Sequence, residues 1–140
     1  AANSDTWGTE LGKLSGSKPI DIITGKKVQH GTSGGITIIG TTGSLFGSIT
    51  IGIIAYLFII DKTIILLVVI SGFLSSLIDS MLGSTNQARF ISQEGSIITE
   101  EYKRNYFLYT GSEIINNNTV NLYCTVSGPF ILLLFNSVLV

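Results

Sequence analysis

The sequence predicts an all-α fold: a polytopic transmembrane helical bundle of about three spans, preceded by a polar N-terminal helix end. Two observations carry that prediction. Charged residues make up only 12% of the 140-residue chain, against about 25% in an ordinary soluble domain. The charges are also missing in long blocks. Gly31 to Ile60 holds none, Thr63 to Ser84 holds only Asp79, and Ile114 to Val140 holds none. A spanning helix needs roughly 20 apolar residues, and three such segments fit, at about 36–60, 63–83 and 119–140. A soluble domain of this size would have to bury three such helices side by side.

The elements follow in order. Residues 1–35 form a helix end and a Gly/Lys loop. The stretch 2–14 reads as the end of a helix, and Pro19 with the glycines from 25 to 35 makes the rest irregular. The opening AANSDTWGTELG has neither the basic start nor the apolar core of a secretory leader. The chain reads as the C-terminal part of a longer protein. Residues 36–83 form a transmembrane hairpin, with Asp61-Lys62 as a very tight turn. Residues 84–113 form a second polar loop, whose aromatics suit a short hairpin or an interfacial segment. Residues 114–140 form the last span. All belong to one membrane domain. Segments 1–35 and 84–113 must then face the same side. They hold seven of the eight Lys and Arg residues, so the positive-inside rule places both in the cytoplasm.

Composition also narrows the function. A net charge of −1 offers no field for nucleic acid. Cys124 is the only cysteine and His30 the only histidine, which excludes an intrachain disulfide and a Cys/His metal cluster. The bilayer is the partner the composition demands, and nothing argues against a homo-oligomer.

Small residues mark the helix faces. Gly43 and Gly47, then Ser48 and Gly52, stand four apart, the spacing that lets helices approach closely in lipid. In the second span Gly72, Ser76, Asp79 and Gly83 line one face, with Ser80 beside them. Asp79 on that face points into the bundle. It reads as a metal or proton ligand, or as a side chain near a helix end reaching water. Asp5 and Glu10 stand about 140° apart on a helix, so they share no face. A meeting of Asp5 with Asp79 from a neighbouring helix would make a carboxylate pair suited to Mg²⁺. The run KKVQHGTSGG brings Lys26 and Lys27, a flexible backbone at Gly31, Gly34 and Gly35, and the hydroxyls of Thr32 and Ser33. If the first span starts near Gly35, its free N–H groups form an anion site; otherwise the run is a basic flank that sets topology. In NNNTVN, one Asn caps the last helix, and Asn121 falls inside the span on the face of Asn117.

Four stretches, NSDTWGTELG (3–12), IITGKKVQHGTSGGIT (22–37), GFLSSLIDSMLGSTNQ (72–87) and INNNTVNL (115–122), together resemble the transmembrane protein 19-like family of polytopic membrane proteins. That family includes the plant phytyl-phosphate kinase, and the resemblance covers its C-terminal half. The first two stretches are also similar to a looser pattern of membrane polyprenol kinases such as dolichol kinase. The resemblance implies phosphoryl transfer from a nucleoside triphosphate to an isoprenoid alcohol or monophosphate, with Mg²⁺ as cofactor. It implies that Asp5, Lys27 and Asp79 carry catalysis, and that Asp5, Glu10 and Asp79 hold the metal. Lys26, Lys27, Gly31, Thr32, Ser33, Gly34 and Gly35 would bind the phosphates, and Ser76, Ser80, Asn118 and Asn121 would wall the site. The rival expectation is a non-enzymatic transporter or lipid-binding component with Asp79 as its cation ligand.

Overall fold

A computed structural model describes residues 1–59, 61–95 and 98–139. Its elements, in chain order, are α1 (Ala2–Lys13), β1 (Ile20–Asp21), β2 (Gly35–Ile36), α2 (Ile38–Tyr56), α3 (Lys62–Thr85), β3 (Arg89–Ser92), β4 (Ile98–Thr99), β5 (Tyr106–Thr110) and α4 (Asn117–Leu139). The molecule is predominantly helical, and α2, α3 and α4 are long and apolar enough to cross a membrane. The ends assigned to the first and last spans at Ile60 and Val140 lie outside the described residues.

Caps decide where the spans start. Thr37 has an extended backbone, and its hydroxyl accepts from Gly40 N, so α2 begins at Ile38 and not at Gly35. Asp61 caps α3 by accepting from the N–H groups of Thr63 and Ile64. Asp61-Lys62 is therefore not a two-residue turn: Lys62 is already helical, and the connection starts at Leu57. Asn116 caps α4 through Oδ1, which accepts from Thr119 N at 3.0 Å.

The helices pack through small residues. A Cβ on Gly43 would stand 2.8 Å from Trp7 O, and one on Gly47 would stand 2.8 Å from Asn3 O. Positions thus descend along α1 as they ascend along α2, so the two run antiparallel at backbone contact. Asn3 Nδ2 donates to Gly47 O and Ser4 Oγ to Ser44 O, both at 2.7 Å. Ser4 Oγ also lies 3.3 Å from Ser76 Oγ of α3. Gly128 of α4 faces Ser75. α1 is thereby wedged among the three long helices.

The interior inverts the pattern of a water-soluble protein. The largest fully buried side chains are Val120, Cys124, Ser4, Ser48 and Ser75, whereas Ile38 is 86% exposed and Phe130 68%. In water the hydrophobic effect would oppose such an arrangement. In lipid the outward Ile, Leu and Phe side chains are solvated by tails. Close contact between small residues then holds the helices together.

Segments 14–37 and 86–116 lie together at one end of the bundle. The first contains β1 paired antiparallel with β2. The second contains a three-stranded sheet ordered β4-β3-β5, with both pairings antiparallel. These short strands are additions to a predominantly helical fold, and the sheet takes the place of the short hairpin or interfacial segment read for the second loop. The second loop holds a sheet because β3 can pair with partners on both sides, with Phe90 buried and stacked edge-on against Tyr102 at 5.5 Å.

Candidate functional site: two carboxylates beneath a glycine loop

Asp5 of α1 and Asp79 of α3 meet because α1 and α3 run parallel: Ala1 lies beside Gly72, and Ser4, next to Asp5, contacts Ser76, about one turn before Asp79. α4 brings Cys124 to the same point. One carboxylate oxygen from each Asp and the Cys124 sulfur all lie within 4.8 Å of one another. Asp79 stands six residues from the end of α3, about 9 Å below it. The pair thus sits beneath the polar end, not at mid-membrane. Among the described residues, Asp79 Oδ1 is buried with no hydrogen-bond partner. An orphaned carboxylate oxygen beside a second carboxylate is a costly arrangement, and a cation or proton relieves it.

Above the pair opens a cavity of about 480 Å³, lined by Asp5, Thr9, Glu10, Gly31–Gly35, Ser76, Asp79, Ser80 and Asn121, among others. The glycine loop forms its roof. Asp21 holds that loop in place. It is buried, and its Oδ1 accepts from Ile23 N, Thr24 N and Thr24 Oγ1, while both oxygens stand within 2.9 Å of the Ser84 hydroxyl. Burial pushes the proton affinity of Asp21 up. The hydrogen bonds from Thr24, Ser84 and Ile23 outweigh this and hold the carboxyl below the ordinary range. Gly34 then rests on α3. Its φ is +82°, and a Cβ there would stand 2.7 Å from Ser84 N, so only glycine fits.

A polar network closes the mouth. Ser33 N donates to Glu100 Oε1 and Ser33 Oγ to Glu100 Oε2, each at 2.7 Å. Gln87 Nε2 donates to Glu100 Oε2 at 2.8 Å. Arg89 Nη2 donates to Ser33 O at 2.7 Å, while its buried Nε has no acceptor among the described residues. Beyond this network lies a groove of about 1150 Å³ lined by Lys18, Lys27, Arg89, Tyr102, Tyr109 and Asn118 among others.

The structure therefore gathers Asp5, Glu10, Gly31, Thr32, Ser33, Gly34, Gly35, Ser76, Asp79, Ser80 and Asn121 around one cavity. Lys27 and Asn118 line the adjoining groove, and Lys26 lines neither. Glu10 is exposed, and its Oε1 accepts from Lys13 Nζ at 2.6 Å, which leaves it outside the carboxylate cluster. The glycine loop is not the first turn of a helix. The N–H groups of Thr32, Ser33 and Gly35 are already engaged by Gln29 O, Glu100 Oε1 and Thr32 O. Sequence reasoning passed over Asp21, Ser84, Gln87, Arg89 and Glu100. Their only sequence signal was polarity beside a span, since Asp21 meets Ser84 across 63 positions and Ser33 meets Glu100 across 67.

Comparison with known proteins places this geometry in context. Residues 1–129 match the family described as "Integral membrane protein DUF92". An uncharacterized membrane protein of Methanocaldococcus jannaschii is 35% identical over 131 residues, covering 94% of this chain and 45% of that protein. Protein PGR of Arabidopsis thaliana is 32% identical over 142 residues, covering 92% of this chain and 49% of that protein. The chain thus spans about half the length of these curated relatives. No solved structure matches it.

Proposed function

This chain belongs to the DUF92 family of integral membrane proteins, as its likeness to the transmembrane protein 19-like proteins leads one to expect, and from that premise we propose that it transfers a phosphoryl group. The donor is a nucleoside triphosphate, whose terminal phosphorus–bridging oxygen bond breaks to release the nucleoside diphosphate, and the acceptor is the hydroxyl of a membrane isoprenoid alcohol, which gives up its proton, or a phosphate oxygen of its monophosphate. One observation carries the reading: two carboxylates paired within 4.8 Å under a glycine-rich loop, at the polar end of a lipid-facing bundle.

The residues present suit Mg²⁺. It prefers hard oxygen ligands, and two of them on one ion at about 2.1 Å stand at most about 4.2 Å apart. Asp5 and Asp79 each bring a carboxylate oxygen within 4.8 Å of the other, and among the described residues Asp79 Oδ1 has no competing partner. Cys124 is a soft donor and does not compete for this ion. Bound there, Mg²⁺ would neutralise phosphate charge, which together with positioning is most of what phosphoryl transfer requires. The chain's own part is orientation. The loop roof at Thr32 and Ser33 faces the phosphates, Lys27 adds a cation from the groove, and the apolar helix faces admit the lipid tail. The excess of Lys and Arg in the two loops supports a cytoplasmic side for this end by the positive-inside rule, where nucleotide would be available.

Thermal shift in detergent with Mg²⁺ and ATP or CTP tests the reading. The wild type should be stabilised, and Asp79→Asn should lose at least about 1.4 kcal/mol of binding energy, a tenfold weakening. No stabilisation by any nucleotide would exclude a kinase. A second reading, a carrier with Asp79 as cation ligand, is favoured by the position of Lys26 away from the cavity. It predicts that Lys26→Arg and Lys27→Arg leave activity intact.

A further inference from the structure

The Glu100 carboxylate occupies a seat of convergent donors drawn from two separate segments, the glycine loop and the end of α3. Its two oxygens take the Ser33 N–H, the Ser33 hydroxyl and the Gln87 amide, at 2.7, 2.7 and 2.8 Å. Contacts this short are typical of charge-assisted hydrogen bonds to an anion. Glu100 follows the two-residue strand β4 and is only half-buried, so it can swing outward without unfolding a helix. The seat lies on the wall between the cavity and the groove: Glu100, Gly31 and Thr32 line both. Arg89, bonded to the Ser33 carbonyl, keeps a buried Nε that has no acceptor among the described residues.

We propose that Ser33 and Gln87 form a phosphate-binding seat, and that Glu100 is an internal stand-in which the phosphate displaces. The ligand is a phosphate-type oxyanion whose oxygens replace the two carboxylate oxygens. This rests on the phosphoryl-transfer reading and sharpens it. A nucleotide lying in the groove among Lys18, Lys27 and Arg89 would present its terminal phosphates at the partition, directly before the carboxylate pair. Glu100 is then a gate: it keeps the donors satisfied while the site is empty and lowers apparent phosphate affinity by the fraction of time it sits in the seat.

Inorganic pyrophosphate is the probe, because it needs neither the right nucleoside nor a lipid. Calorimetry on the detergent-purified chain should find Glu100→Gln binding pyrophosphate at least about tenfold more tightly than wild type, as expected when an internal competitor held most of the time is weakened. Adding Gln87→Leu to that variant should abolish the gain. In the wild type, pyrophosphate should raise carbodiimide labelling of Glu100, read by mass spectrometry. This second measurement does not depend on any variant folding. Equal affinity in wild type and Glu100→Gln, no binding by either, or unchanged labelling would each overturn the seat. Nucleotide stabilisation lost in Asp79→Asn would still uphold phosphoryl transfer in that event. Pyrophosphate capture with no response to any nucleotide would keep the seat and remove the kinase.

Discussion

Asp21 shows how much of the site hangs on one side chain that touches no part of the carboxylate pair. Its carboxylate collects bonds from three residues and ties the loop to the end of α3 through Ser84. Because its folded proton affinity is depressed, its contribution is complete above the ordinary Asp value of about 3.9. It drains away as pH falls through the lowered value. Wild-type stability in detergent should therefore drop as pH is lowered below about 4. Asp21→Asn should be weaker at neutral pH by about 1–3 kcal/mol and should show less of that acid loss. Equal acid sensitivity in the two proteins would show that another carboxylate is responsible. Asp79 is read by a different logic. Its own oxygen lacks a partner, so its replacement by Asn should cost ligand binding more than stability.

At the scale of elements, the contact of α1 with α2 is the most demanding. Backbone meets backbone there, and a side chain on Gly43 has Trp7 O and Leu11 in its way. Gly43→Leu should destabilise the fold by at least about 1–3 kcal/mol, the usual range for overpacking. Phe46→Ala, on the exposed face of the same helix, should change little in comparison. Unfolding in mixed micelles would compare the two, and equal effects would mean that α1 is not docked as described. The spacing of glycines made this face legible in the sequence. The partner of the face was not, because Asn3, Ser4 and Trp7 share helical spacing but mix polar with aromatic character, so a helix of only 12 residues shows no apolar stripe. The sheet was harder still. β3 and β4 are four and two residues long, too short for alternation to be read, and pairing alone defines them.

For the whole molecule, the ends of the bundle are unequal. Both basic loops gather at one end, and Lys62 stands at the other. Single-cysteine variants in a Cys124→Ala background should divide accordingly. Lys27→Cys and Lys103→Cys should react with an impermeant maleimide from one side of the membrane, and Lys62→Cys only from the other. Reaction of all three from one side would remove the topology. Local composition was enough to read the helical membrane class, its three long apolar helices and the two polar segments that adjoin them. These depend on where charge is absent, and the free energy of inserting a segment into lipid depends mainly on its own composition. That Asp5 and Asp79 come together, that Asp21 anchors the loop on Ser84, and that Glu100 fills the donors at Ser33 is visible in the folded chain alone. Those meetings join residues more than 60 positions apart. Which helix face meets which is set by the fit of small residues across helices, a property of pairs of segments that no single segment carries.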